Sequence, residues 1–207
     1  MPLPNGLYVL TDATLIPAER FVATVEQAIR GGARVVQYRD KSTDPLRRRA
    51  QAGALVALCR ELGVPLIVND DVELAREVGA DGVHLGRDDE RIRAARARLG
   101  AGHIIGASCY DELARARRAQ AAGADYLAFG SFFPSPTKPA AVRAGATLLR
   151  QARCEFTLPL VAIGGITPDN GAELIAAGAD NLAVISGVFG QPDVAAAAHR
   201  YAVLFGG

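Results

Sequence analysis

The sequence predicts an α/β fold, a compact single (β/α)8 TIM barrel spanning residues 1–207. Three observations carry this reading. Eight apolar, strand-like runs alternate with helix-like runs from end to end. A short phrase recurs before strands: GGAR at 31–34, VGAD at 78–81, and AGAD at 122–125 and 177–180. There is no hairpin signal, and no Gly-rich dinucleotide turn follows the first run, which counts against an open doubly wound sheet.

The elements follow in order. The strand-like runs are LYVLTD (7–12), VVQYRD (35–40), PLIVND (65–70), GVHLG (82–86), HIIGASC (103–109), YLAFG (126–130), PLVAIGG (159–165) and NLAVISG (181–187). Their Val, Ile and Leu content suits strands buried on both faces. Between them, AERFVATVEQAIRGG repeats Phe21, Val25 and Ile29 at helical spacing, with Pro17 before and Gly31 after. DELARARRAQAAGAD opens on an acid and stops at Gly123. In each repeated phrase a Gly supplies the left-handed residue that ends a helix. The one long proline-punctuated loop is SFFPSPTKPA (131–140), a candidate lid. The 207 residues are few beside the roughly 250 typical of this fold, so helices and loops are expected to be compact.

Bulk chemistry narrows the function. A formal net charge of +1 gives no broad field for nucleic acid or an acidic membrane surface. No apolar run reaches the roughly 18 residues that span a bilayer. The start, MPLPNGLYVLTD, has no basic n-region and no signal-cleavage site. Cys59, Cys109 and Cys154 lack metal-like spacing and read as reduced thiols, so a cytoplasmic location is expected. Of 23 basic residues only Lys41 and Lys138 are lysine. A lysine in an arginine-biased chain suggests a place that needs a compact ammonium.

In such a barrel function sits where strands end. The run ends offer Gln37, Arg39 and Lys41, spaced to share one strand face; Asn69 and Asp70; Gly86 to Asp89; Ser108; Ser135, Thr137 and Lys138; Gly164 and Gly165; and Ile185, Ser186 and Gly187. Each has a plain alternative. Asp70 or Asp71 caps a helix from Val72, as Asp88 or Asp89 caps the next one. Arg39 and Lys41 read as solvated charge, Ser135 and Thr137 as loop hydroxyls, and the glycine pair as a turn. Together they have a chemical meaning. Two carboxylates without His or Cys ligands suit Mg²⁺, which takes one or two carboxylates and fills the rest with phosphate oxygens and water. Gln, Arg and Lys nearby suit a diphosphate. Gly-rich turns after the last two strands suit a monophosphate. No general base stands out, and His84 reads as a packed core histidine.

QYRDK, VNDD, DGVHLG-x-x-D, IIGAS, DYLAFGSFF-x-S-x-TKP, VAIGGI and AVIS, in order from 35 to 187, resemble the thiamine-phosphate synthase family. The resemblance implies a transferase of thiamine biosynthesis. It joins 4-amino-5-hydroxymethyl-2-methylpyrimidine diphosphate to 4-methyl-5-(2-hydroxyethyl)thiazole phosphate, releasing diphosphate by a dissociative, Mg²⁺-assisted substitution. It implies that Gln37, Arg39, Lys41, Asn69, Ser108 and Lys138 hold the pyrimidine diphosphate, with Arg39, Lys41 and Lys138 as the catalytic cations. Ser135, Thr137, Gly165, Ile185 and Ser186 contact the thiazole phosphate. Asp70 and Asp89 bind one Mg²⁺ per subunit. The partners are the two small phosphorylated substrates, with no nucleic acid and no membrane; oligomeric state is left open. Three positions depart from the family pattern: Arg87 for a usual Gln, Ser135 for a common Thr, and Tyr110 where relatives often carry His. Tyr110 counts against a thiazole tautomerase, the nearest alternative; a non-catalytic thiazole-phosphate or thiamine-phosphate binder is the other.

Overall fold

A computed structural model describes residues 2–86, 89–134 and 144–206, with residues 89 and 90 as backbone only. The strands are β1 (Gly6–Leu10), β2 (Ala33–Tyr38), β3 (Leu66–Asn69), β4 (Gly82–Leu85), β5 (Ile104–Tyr110), β6 (Tyr126–Gly130), β7 (Leu160–Ile163) and β8 (Asn181–Val184). They form a closed barrel in chain order, and β8 pairs in parallel with β1. Around it run α1 (Phe21–Arg30), α2 (Pro45–Glu61), α3 (Val72–Val78), α4 (Asp89–Leu99), α5 (Leu113–Ala121), α6 (Ala146–Glu155), α7 (Pro168–Ala176), the short α8 (Ser186–Phe189) and α9 (Val194–Ala202). The predicted (β/α)8 barrel is the observed fold. Among the described residues no helix is long and apolar enough to cross a membrane.

The runs predicted at 7–12, 35–40, 159–165 and 181–187 end two or three residues early as strands. Each stops where the chain turns out of the barrel. Gly164, at φ 105°, breaks extended geometry directly after β7.

Strand alternation divides the apolar residues between two cores. Tyr8 and Leu10 face the barrel interior with Val35, Ile67, Ile104, Tyr126, Ala128, Val161 and Ala183. Leu7, Val9 and Val36 face the helices, where they meet Phe21, Val25 and Ile29 of α1. The interior leaves room for Tyr126 because position 106 is glycine: a Cβ there would lie 1.9 Å from the tyrosine Cζ.

The recurring GAD phrase does more than end helices. Asp81, Asp125 and Asp180 each sit just before a strand and grip the start of the preceding one twice. Their backbone N–H groups donate to the carbonyls of Leu66, Ile105 and Leu160. Their Oδ2 atoms accept from the N–H groups of those same residues, at 2.8, 2.7 and 2.7 Å. The clamp joins β3 to β4, β5 to β6 and β7 to β8. In the β1–β2 pair the corresponding residue is Arg34, whose side chain lies over Gly6.

At the opposite end the loops lead into capped helices. Asp44 accepts from Arg47 N at 3.0 Å with Pro45 in the first turn of α2. Thr167 and Asn170 form a capping box on α7. These caps fix the chain direction as it leaves the barrel mouth.

Candidate active site

The strand ends open into a cavity of about 910 Å³, lined by Gln37, Arg39, Asn69, Ser108, Gly165, Ile185 and Ser186 among others. An adjoining cleft is lined by Lys41, Asn69, Asp70 and Arg91. Asn69 belongs to both, so the two halves meet there. Ser135, Thr137 and Lys138 lie outside the described residues, as do Arg87, Asp88 and most of the candidate lid at 131–140. The backbone of Asp89 opens α4.

The polar row of β2 does not stay on one strand face. The strand ends at Tyr38. Gln37 is 3 % exposed inside the barrel. Arg39 and Lys41 follow in the loop, with side chains 20 % and 63 % exposed. Asp40 shapes that loop. Its side chain is buried and accepts from Ser42 N (2.8 Å), Ser42 Oγ (3.0 Å) and Arg47 Nη2 (2.8 Å). Burial alone would raise its pKa; the Ser42 and Arg47 bonds outweigh that and hold it below the ordinary carboxylate value. The staple turns Lys41 outward toward Asp70.

Arg39 is fixed by two residues that strand-end reasoning skipped, Thr11 and Asp12. Buried Thr11 accepts from Arg39 N at 2.8 Å and donates to Arg39 O at 3.2 Å. Asp12 Oδ2 lies 3.3 Å from Arg39 Nη1. The signal was present: LYVLTD ends in the same polar way as the later runs.

The adjacent aspartates divide their work. Asp71 caps α3, accepting from Leu74 N at 2.9 Å. Asp70 does not cap. It adopts φ 62°, a left-handed conformation that Asp tolerates better than most residues. His84 O accepts from its N–H at 2.8 Å, and Arg91 Nη2 donates to its carbonyl at 2.8 Å. Asn69 Nδ2 donates to Oδ2 at 2.8 Å, and Lys41 Nζ lies 3.5 Å from the same oxygen. Oδ1 faces Gly86. A half-exposed carboxylate of this kind has the chemistry that suits a hard cation. Among the described residues no three His, Cys, Asp or Glu form a metal cluster.

The glycine turn after β7 is forced. Gly164 and Gly165 take φ of 105° and 64°. A Cβ on them would lie 2.0 Å from Ser131 Oγ and 2.4 Å from Pro134 O. The turn is therefore the seat on which the loop after β6 rests, with Phe133 N donating to Gly164 O at 3.0 Å. Ser186 begins α8 beside it.

His84 packs inside the barrel, stacked on Tyr126, as a core histidine is expected to. It also lines the cavity and uses both ring nitrogens, Nδ1 at 2.8 Å from Tyr126 Oη and Nε2 at 2.9 Å from Ser108 Oγ. Burial lowers its pKa from 6.5 to about 4, against the opposing pull of the Asp70 carboxylate. The imidazole is neutral at pH 7. Burial raises the pKa values of Tyr8 and Tyr126 above the ordinary phenol value.

Comparison with known proteins gives concordant results. A family model described as thiamine monophosphate synthase matches residues 7–188. The chain is 60 % identical over 202 residues to a thiamine-phosphate synthase of Thiobacillus denitrificans, covering 98 % of this chain and 95 % of that one. It is 54 % identical to the protein of the same description from Acidithiobacillus ferrooxidans, over 98 % of this chain and 95 % of that one. Among solved structures, a thiamine phosphate pyrophosphorylase from Pyrococcus furiosus superposes with a TM-score of 0.86 at 38 % identity, covering 97 % of this chain and 95 % of that one.

Proposed function

We propose a mechanism from the premise that this chain belongs to the thiamine-phosphate synthase family and is a transferase of thiamine biosynthesis. The substrates are the two phosphorylated halves of the vitamin, the pyrimidine as its diphosphate and the thiazole as its phosphate. The exocyclic C–O bond of the pyrimidine diphosphate breaks first, and its electron pair leaves on the diphosphate. The resulting pyrimidine cation is attacked by the lone pair of the thiazole nitrogen. The new C–N bond gives thiamine phosphate.

One observation carries this reading. Gln37, Arg39, Asn69 and Ser108 share a cavity with Gly165, Ile185 and Ser186, and that cavity adjoins the Lys41–Asp70 pair. Arg39 and Lys41, with Lys138, would bind the departing diphosphate and neutralise the charge that develops on it. Preorganised donors of this kind typically contribute about 10²–10³ in rate each. Gln37, Asn69 and Ser108 would position the pyrimidine. Gly165, Ile185 and Ser186, with Ser135 and Thr137, would hold the thiazole phosphate. Asp70 and Asp89 would hold a Mg²⁺ ion, which when bound supplies further charge neutralisation to the diphosphate oxygens. The exposed Lys41–Asp70 pair adds little to stability, which favours a ligand-directed role for both. Departure-first chemistry needs charge neutralisation more than a base, and the cavity accords with that: its histidine is neutral and engaged at both nitrogens.

The test combines purified protein, both phosphorylated halves and Mg²⁺, and measures thiamine phosphate. Product is expected. Binding without product would replace the reading with a binder, and isomerisation of a thiazole carboxylate would replace it with a tautomerase. In the same assay Asp70→Asn, which keeps the left-handed backbone accessible, is expected to cut turnover about 10²-fold. It should also raise the Mg²⁺ needed for half-maximal rate. Normal turnover at limiting Mg²⁺ would remove Asp70 from the metal site.

A further inference from the structure

A hydrogen-bonded chain crosses the barrel interior. Gln37 Nε2 donates to Tyr8 Oη at 2.8 Å. Tyr8 Oη lies 2.9 Å from Tyr126 Oη, which lies 2.8 Å from His84 Nδ1. His84 Nε2 lies 2.9 Å from Ser108 Oγ. The imidazole stacks on the Tyr126 ring with centroids 5.5 Å apart, so its plane is set as well.

With the Gln37 amide nitrogen donating to Tyr8, one direction gives each buried hydroxyl hydrogen of the chain an acceptor. A tyrosine hydroxyl carries a single hydrogen. The partner within the chain for the Tyr8 hydrogen is then Tyr126. The Tyr126 hydrogen then goes to His84 Nδ1. A neutral imidazole that accepts at Nδ1 carries its proton on Nε2, and that N–H donates to Ser108 Oγ. The serine hydrogen is thereby left to point into the cavity. At the other end Gln37 Oε1 is buried without a protein partner among the described residues. Gln37 and Ser108, the two ends of the chain, both line the cavity. A ring nitrogen of an aminopyrimidine is an acceptor for the Ser108 hydroxyl.

We propose that His84 is a positioning residue for the aminopyrimidine substrate, held as the Nε2–H tautomer by Tyr8 and Tyr126 so that the Ser108 hydroxyl donates to a pyrimidine ring nitrogen. This rests on the condensation reading above. His84 touches neither the leaving group nor the forming bond; it fixes which way Ser108 can donate.

The first measurement needs no substrate. Nitrogen-15 NMR of the imidazole side chains, with the His84 signals identified by their loss in His84→Asn, is expected to show Nδ1 unprotonated and Nε2 protonated near pH 7. A protonated Nδ1 would overturn the proposal. The second measurement is kinetic. His84→Asn keeps an acceptor toward Tyr126 and loses the donor to Ser108. It should raise KM for the pyrimidine diphosphate about five- to tenfold, the size of one lost hydrogen bond, and leave the thiazole-phosphate KM in place. His84→Gln, whose amide reaches the Nε2 position, should recover most of the loss. Ser108→Ala should match His84→Asn, and the double variant should be no worse than either single. Equal losses in the Asn and Gln variants, or additive losses in the double, would make His84 a packing residue only. A wild-type protein that forms no thiamine phosphate would sink the condensation reading and leave the tautomer result to stand or fall separately.

Discussion

Arg39 shows how a surface-looking charge becomes a directed one. Its backbone is locked by Thr11, and its guanidinium faces Asp12 across 3.3 Å. Both side chains are mostly buried, 20 % and 15 % exposed, so Asp12 both orients the guanidinium and offsets its desolvation. Asp12→Ala is expected to lower kcat about tenfold, less than the roughly 10²–10³ for losing such a donor outright. The melting temperature should fall as well, because a mostly buried guanidinium loses its partner and Thr14 loses its acceptor. A lower melting temperature with unchanged kcat would confine Asp12 to folding. Single residues were also where the sequence was least legible. Asp70 and Asp71 are the same residue type, and either suits a cap before Val72; only backbone geometry separates them, with φ 62° at one and −108° at the other. His84 read only as core because its partners, Tyr126 and Ser108, are 42 and 24 residues away. No local pattern carries such a contact.

At the scale of elements, alternating patterns exposed the fold and even the mouth, because strand ends are where an apolar run gives way to polar residues and glycine. What the patterns missed was the point at which pairing stops. Run ends such as Arg39 and Gly165 look like strand continuations until the chain is seen leaving the barrel. The β7 turn has its own consequence. Gly165 combines φ 64° with a closed space, since an added Cβ would meet Pro134 O at 2.4 Å and Phe133 Cβ at 2.7 Å. Gly165→Ala must therefore shift the loop after β6 rather than only strain the turn. The expected result is a thiazole-phosphate KM raised more than the pyrimidine-diphosphate KM, measured by varying each substrate against saturating partner. Equal effects on both would show that the turn serves the whole mouth rather than one ligand.

Across the whole molecule the two ends of the barrel carry different duties. The GAD phrase was legible as a turn, and its glycines do take positive φ, 69° at Gly79, 98° at Gly123 and 112° at Gly178. Its aspartates are the larger finding: clamps on alternate strand pairs, all at the end where strands begin and none at the mouth. Function in this fold sits at the strand C-termini, and the other end serves stability. The division is testable with Asp180, which also pairs with Arg153. Asp180→Ala leaves the Leu160 N–H without its acceptor, a loss of about 1–3 kcal/mol. For a chain of this size each kcal/mol lowers the melting temperature by about 2–4 °C. Both KM values and kcat should hold when measured well below that transition, because no catalytic side chain leans on the clamp. A variant that melts normally but turns over slowly would mean that strain at the closed end reaches the mouth, and the two ends would then have to be treated as one coupled unit.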